Sequence, residues 1–190
     1  MRCVWCLRWF AEASVLRCSH LNRALYLKEV KLDVYEHYTY IKFESSIKNE
    51  NDPTMLVLKA HLFAENAFEN LIALQLPRGD KVVERGNLSF HQKLVLIDAL
   101  NIVPDNVISS FRFLNKIRNQ FAHDLDASVT HNDLLKLGSP LGKKFTEYRI
   151  KSAGNDDLLL KDLVHYLCGT ITGFCFAYEK KDSDKQVEQA

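Results

Sequence analysis

Three polar residues near the end of one amphipathic segment have the side chains that phosphate binding and proton transfer require. Arg118 and His123 are five positions apart, and Asn119 directly follows the Arg. A guanidinium grips phosphate oxygens through its planar fork of donors, and an imidazole exchanges protons near neutral pH. Cleavage of RNA through its own 2′-hydroxyl needs a cation over the phosphorane and a proton donor or acceptor. Arg118 and His123 are therefore the candidate catalytic residues on chemical grounds.

The segment that carries these residues predicts one long helix from Pro104 to about Asp126. Apolar side chains at helical spacing cover about half of its circumference. They are Val107, Phe111, Phe113, Leu114, Ile117, Phe121, Ala122 and Leu125. Arg118 falls within this apolar arc. Because a guanidinium cannot escape burial by losing its proton, Arg118 needs an anion, an acceptor cluster or a partner chain.

The spacing of Arg118 and His123 sets a geometric requirement on any joint chemistry. On an ideal helix these two side chains point about 140° apart. They converge if the last turn is bulged or frayed, if the Arg reaches back, or if a second copy donates one of them across a twofold axis. A twofold axis beside this helix would also account for an Arg on an apolar face. A homodimer formed through this helix is therefore one of three ways in which the two side chains could converge.

A structural role for the same residues is the alternative. Arg118 would then cap carbonyl groups or pair with Glu65 or Asp124, and His123 would simply end the helix. His61 and Glu65 lie one turn apart among apolar residues of an upstream helix. They form either a satisfied buried pair within the bundle or supporting groups beside Arg118 and His123.

The remaining chain predicts further helices with short connections. Helix starts are indicated by capping residues or capping boxes at Asp52 with Pro53, Ser89 with Gln92, Thr130 with Asp133, and Asn155. The first of these helices should end near Leu76. Strong apolar stripes and short connections favour an all-α bundle of four or five helices.

Three stretches fit this helical pattern less well. Residues 78–87 contain two glycines, residues 138–156 contain glycines and Pro140, and both stretches are predicted as loops. The second of them has a basic cluster that either faces solvent or grips phosphates, formed by Lys143, Lys144, Arg149 and Lys151. Residues 23–48 alternate apolar and polar side chains around Val30–Val34 and Ile41–Glu44, which indicates two short strands or an aromatic-rich helix. The predicted organisation is an N-terminal extension (1–50), a helical domain (51–181) and a charged tail (182–190) that frays.

Composition narrows the class of protein. The 190 residues include 25 Lys and Arg against 24 Asp and Glu, so the chain has no overall basic excess of the kind that coats DNA. Charged residues interrupt every apolar run before it reaches the length of a signal or a bilayer span, so we expect a cytoplasmic protein with no membrane contact.

The number and spacing of the cysteines bear on disulfide formation and metal binding. Five cysteines, an odd number at the two ends of the chain, fit reduced thiols. Cys3, Cys6, Cys18 and His20 are zinc-binding residue types, but their spacing is unlike a paired zinc knuckle. We therefore expect no metal and no cofactor.

The run Arg118-Asn119-Gln120-Phe121-Ala122-His123, late in a helix of such a bundle, resembles the signature of the HEPN superfamily. The resemblance spans residues 53–178 and includes Ser89-Phe90-His91-Gln92-Lys93-Leu94. It implies a metal-independent endoribonuclease that dimerises through this helix, such as a toxin or defence effector with an antitoxin partner. Arg118 and His123 match the two signature positions, and Asn119 matches the polar residue that follows the Arg.

One position departs from a branch of that superfamily. Toxins controlled by tyrosine modification carry a Tyr two residues after the His, where this chain has Leu125. The runs around His91 and His123 are more similar to mannitol operon repressor relatives, several of which are not established nucleases. A non-catalytic regulatory or scaffolding module that binds protein or nucleic acid is therefore the second hypothesis.

Overall fold

The computed structural model describes residues 38–188, with side chains for residues 40–180. This part of the chain is all-helical, with eight α-helices and one short 3-10 helix at Ser139–Leu141. In chain order the α-helices are α1 (Tyr38–Ile47), α2 (Pro53–Gln75), α3 (Gly79–Gly86), α4 (Phe90–Ala99), α5 (Asp105–His123), α6 (His131–Gly138), α7 (Lys143–Ser152) and α8 (Asp156–Glu188). The predicted all-α bundle is confirmed, with more helices than the expected four or five.

Helix α2 lies at the centre of the bundle. Helix α8 packs along it, and α1, α3, α4 and α5 also contact it. The Asp52 side chain caps its first turn by accepting a hydrogen bond from the Thr54 backbone N–H at 2.9 Å, with Pro53 at the first helical position. Helices on several sides leave α2 with ten buried residues, His61 among them.

An aromatic cluster joins α2 to α4 and to α5, the helix that carries the candidate site. Phe68 of α2 meets Phe90 of α4 and Phe111 of α5 edge to face, with ring centroids 5.4 and 5.1 Å apart. Such edge contacts are favourable because the positive ring edge meets the negative ring face. The cluster fixes α5 against α2 and α4 about two helical turns before Arg118.

The predicted helix starts are confirmed by their hydrogen bonds. The Ser89 backbone N–H donates to the Gln92 side chain at 2.8 Å, and the Gln92 backbone N–H donates back to the Ser89 hydroxyl. Thr130 and Asp133 form the second capping box. The Asn155 side chain accepts from the Leu158 backbone N–H at 2.9 Å at the start of α8.

The strand interpretation of Ile41–Glu44 is wrong, and the helical alternative is confirmed there. Tyr40, Phe43 and Ile47 recur at steps of three and four, so α1 buries all three on one face. They join the same core as the rest of the bundle, although α1 falls within the predicted N-terminal extension. Residues 23–37 lie outside the described residues, and so do the rejected zinc ligands Cys3, Cys6, Cys18 and His20.

The loop predicted over residues 78–87 is wrong, because α3 occupies most of it. A Cβ added to Gly79 would lie 2.1 Å from the Ile72 carbonyl oxygen, so this residue must be glycine for α3 to begin so close to α2. Val82 and Val83 then pack against the core. Asn87 ends the helix in the left-handed region, at a φ of 44°.

The loop predicted over residues 138–156 is also wrong, because α7 fills most of it. Phe145 and Tyr148, three positions apart, are buried. Two of the four basic residues, for which solvent exposure and phosphate binding were the alternatives, pair with carboxylates. Lys144 contacts Glu147 at 2.7 Å, and Lys151 contacts Asp162 at 2.7 Å.

Two helix ends differ from expectation. Helix α5 stops at His123, because Asp124 is extended at a φ of −139°, three residues before the predicted end near Asp126. Helix α8 continues to Glu188, through the segment expected to fray. Within residues 38–188 every helix is too short or too polar to cross a bilayer.

Candidate functional site

Arg118 is half-buried on α5, and no carboxylate pairs with it in the described part of the chain. Its Nη1 donates a hydrogen bond to the Asn119 side-chain oxygen at 3.3 Å. Each alternative partner contacts another group: Glu65 accepts from the Lys93 ammonium at 2.8 Å, and Asp124 accepts from the Asp126 backbone N–H at 3.0 Å. Most of the Arg118 donors are therefore free for a ligand.

His123 is exposed and lines an open groove of about 600 Å³ between the end of α5 and the start of α6. The groove is lined by Lys116, Asn119, Gln120, His123, Asp124, Asp126, Ala127, Ser128, Thr130 and Asp133. Three of these residues are Asp and one is Lys. The groove of a single chain is therefore reachable but not positively charged.

Arg118 and His123 are not brought together within one chain. In the described part no hydrogen bond joins them, as expected for side chains that leave a helix about 140° apart. Asn119 lies between them, since it accepts from Arg118 and also lines the groove that contains His123. Arg118 itself does not line that groove.

His61 approaches α5 through a different residue from those predicted. Its ring is only 7% exposed, its Nε2 lies 3.0 Å from the Asn115 side-chain oxygen, and it stacks on Phe90 at 4.0 Å. Burial lowers the pKa of His61, and the nearby positive charge of Arg118 lowers it further, while Asn115 and Glu65 oppose the shift. His61 is therefore a buried neutral imidazole beside the Arg118 face of α5.

Lys93 is a buried charged residue that the sequence analysis missed. It is 7% exposed, and its ammonium donates to Glu65 at 2.8 Å and to Glu69 at 2.6 Å. Burial alone would lower the pKa of Lys93, but these two carboxylates raise it above its ordinary value. Lys93 lies in the apolar stripe of α4 between Phe90 and Ile97, and that position was the available signal.

No group of three or more His, Cys, Asp or Glu residues within the described residues is arranged to hold a metal ion. The described cysteines, Cys168 and Cys175, are buried, and burial raises the pKa of both thiols. These two thiols are therefore held protonated and unreactive.

We expect the free energy of unfolding to fall as pH is lowered from 7.5 to 5.5. Burial holds the pKa values of His61 and His165 below the ordinary value of about 6.5. The unfolded chain therefore binds protons first, and stability is lost below about pH 6.5 until the folded imidazoles also titrate. Urea unfolding at both pH values measures the loss. His61→Gln should show a smaller loss than the wild type, and equal losses would contradict the assignment to His61.

Comparison of the chain with protein-family models, curated proteins and solved structures finds no match in any of the three.

Proposed function

We propose that this protein is a metal-independent endoribonuclease of the HEPN type, with a cleft built from two copies of the chain. The observation that carries the proposal is a half-buried Arg118 that no described carboxylate neutralises. Asn119 is hydrogen-bonded to it, and an exposed His123 follows at the end of the same helix. This arrangement suits a polyanionic ligand better than a structural ion pair.

The proposed chemistry needs only these side chains and the RNA. One imidazole of His123 accepts the proton of a 2′-hydroxyl, whose oxygen then attacks the adjacent phosphorus. The bond from phosphorus to the 5′-oxygen breaks, and the imidazolium formed in the first step returns its proton to that leaving oxygen. The Arg118 guanidinium stabilises the negative charge of the phosphorane. The products are a 2′,3′-cyclic phosphate and a free 5′-hydroxyl.

A second copy supplies what one chain lacks. With Arg118 and His123 directed to different sides of α5, a twofold axis beside this helix would place the Arg of one copy near the His of the other. The dimer therefore forms part of the proposed function.

The test is incubation of the purified chain with single-stranded RNA in excess chelator. The wild type should release a product that ends in a cyclic phosphate, and His123→Ala should lower its rate by roughly 100-fold or more, by loss of general acid and base catalysis. His91→Ala is the matched control, because His91 is an exposed histidine on α4. Equal cleavage by the wild type and His123→Ala would overturn the proposal.

One observation favours the second hypothesis, a non-catalytic regulatory or scaffolding module similar to mannitol operon repressor relatives. The groove at His123 has three Asp residues against one Lys, which disfavours RNA phosphates and suits a protein partner. Under this hypothesis the wild type yields no RNA product, and Arg118→Ala changes self-association or partner binding. Sedimentation of wild type and Arg118→Ala measures the self-association.

A toxin or defence role belongs to the same proposal. Expression of an active ribonuclease in a bacterial cell should stop growth, whereas expression of His123→Ala should not. An antitoxin would then be a protein whose co-expression restores growth to cells that carry the wild type.

A further inference from the structure

A buried imidazole is the link between the centre of the bundle and the α5 turn that carries Arg118. His61 lies on α2, and its Nε2 is 3.0 Å from the Asn115 side-chain oxygen on α5. The ring also stacks on Phe90 of α4, with 4.0 Å between ring centroids and an interplanar angle of 23°. The His61 side chain therefore connects α2, on which it lies, to both α4 and α5.

Asn115 connects His61 to the candidate site, because it lies one helical turn before Arg118 and Asn119. It precedes Arg118 by three positions and Asn119 by four, so the three side chains are neighbours on one face of α5. The Arg118 guanidinium donates to Asn119. A contact that fixes the rotation of α5 at Asn115 consequently fixes the direction of the next turn, where Arg118 and Asn119 lie.

The charge state of His61 suits this position. Burial lowers the pKa of its ring and favours the neutral form, so His61 adds no positive charge next to Arg118. In the neutral form with its proton on Nε2, the ring donates to the Asn115 oxygen. A neutral donor thus holds α5 without competing with Arg118 for an anionic ligand.

A second polar contact on α2 serves as a comparison. Glu65 and Glu69 accept from Lys93, which ties α2 to α4 and involves no residue of α5. Loss of this contact would lower the free energy of unfolding without changing the rotation of α5 about its axis. Variants that lose one contact or the other therefore distinguish an effect on folding from an effect on the orientation of the Arg118 side chain.

We propose that His61 is a positioning residue that acts through Asn115 to hold Arg118 and Asn119 in their reactive orientation. The inference rests on the proposed ribonuclease function. His61 itself touches no RNA, because it lies buried behind α5.

The test compares His61→Phe with His61→Gln in the chelator-resistant cleavage assay. His61→Phe keeps an aromatic ring on Phe90 and removes the hydrogen bond, so kcat should fall roughly 10- to 100-fold while KM stays within about twofold. His61→Gln keeps an amide donor toward Asn115 and should recover most of the lost kcat. Glu69→Gln is the matched control, and its kcat should remain near that of the wild type.

Asn115→Ala removes the same hydrogen bond from the α5 side and serves if His61→Phe does not fold. If both changes act through one contact, the double variant should be no slower than the slower single variant. Wild-type kcat in His61→Phe and Asn115→Ala, with His123→Ala inactive, would overturn the positioning role alone. An inactive wild type would overturn the ribonuclease proposal and this inference with it.

Discussion

An equimolar mixture of Arg118→Ala and His123→Ala chains, allowed to exchange subunits, should regain about a quarter of wild-type RNA cleavage, although each variant alone should be inactive. The reason is the angle of about 140° between the directions in which the two side chains leave α5. If the cleft takes Arg118 from one copy and His123 from the other, each mixed dimer contains one intact cleft. Random exchange makes about half of the dimers mixed, and each of these has one working cleft of two.

The measurement is the initial rate of RNA cleavage before and after exchange, in excess chelator. The control is the same two variants combined immediately before the assay, which should remain inactive until exchange occurs. A cleft that takes both residues from one chain would give no recovery, because every chain in the mixture lacks one of them. Absence of recovery in a confirmed mixed dimer would therefore contradict donation across the twofold axis.

Phe68→Ala should lower the free energy of unfolding by about 3–5 kcal/mol. Phe68 is 0% exposed and lies between Phe90 and Phe111, so its removal leaves a cavity and deletes two edge-to-face contacts. Because these rings join α2, α4 and α5, the loss should be cooperative across the bundle. Urea unfolding followed by circular dichroism, at one fixed protein concentration, measures the change.

Leu62→Ala provides the matched control on the same helix. Leu62 is 61% exposed, so its truncation leaves no cavity and should change stability by no more than about 0.5 kcal/mol. If the two variants lose similar stability, the aromatic cluster is not the centre of the core.

Local signals in the sequence were sufficient for the helices that begin at a capping residue, and they nominated the candidate residues. Asp52 with Pro53, and the capping box of Ser89 with Gln92, act over four residues or fewer, and the structure confirms the helices that they begin. The divergence of Arg118 and His123 also followed from the sequence, because the turn of an α-helix sets the angle between any two positions.

Contacts between distant residues were decided by the tertiary structure alone. The Lys93 ammonium meets carboxylates 28 and 24 positions away, and the His61 ring meets Asn115 54 positions away. Helix α3 was missed for the same reason. The need for glycine at position 79 comes from its close approach to the Ile72 carbonyl, which only the packed helices show. Periodicity reports which face of a helix is buried, but it does not report which residue of another helix lies opposite.

The freedom of Arg118 shows this division most clearly. The apolar arc of α5 indicated an Arg that needed a partner, and Glu65 and Asp124 were the nearest choices in the sequence. In the folded chain Glu65 pairs with Lys93, and Asp124 accepts a hydrogen bond from a backbone N–H. Among the described residues, the Arg118 guanidinium hydrogen-bonds only to Asn119. The sequence determined which residues carry the charge, and packing determined which charges were neutralised, because pairing depends on distances that only the assembled helices set.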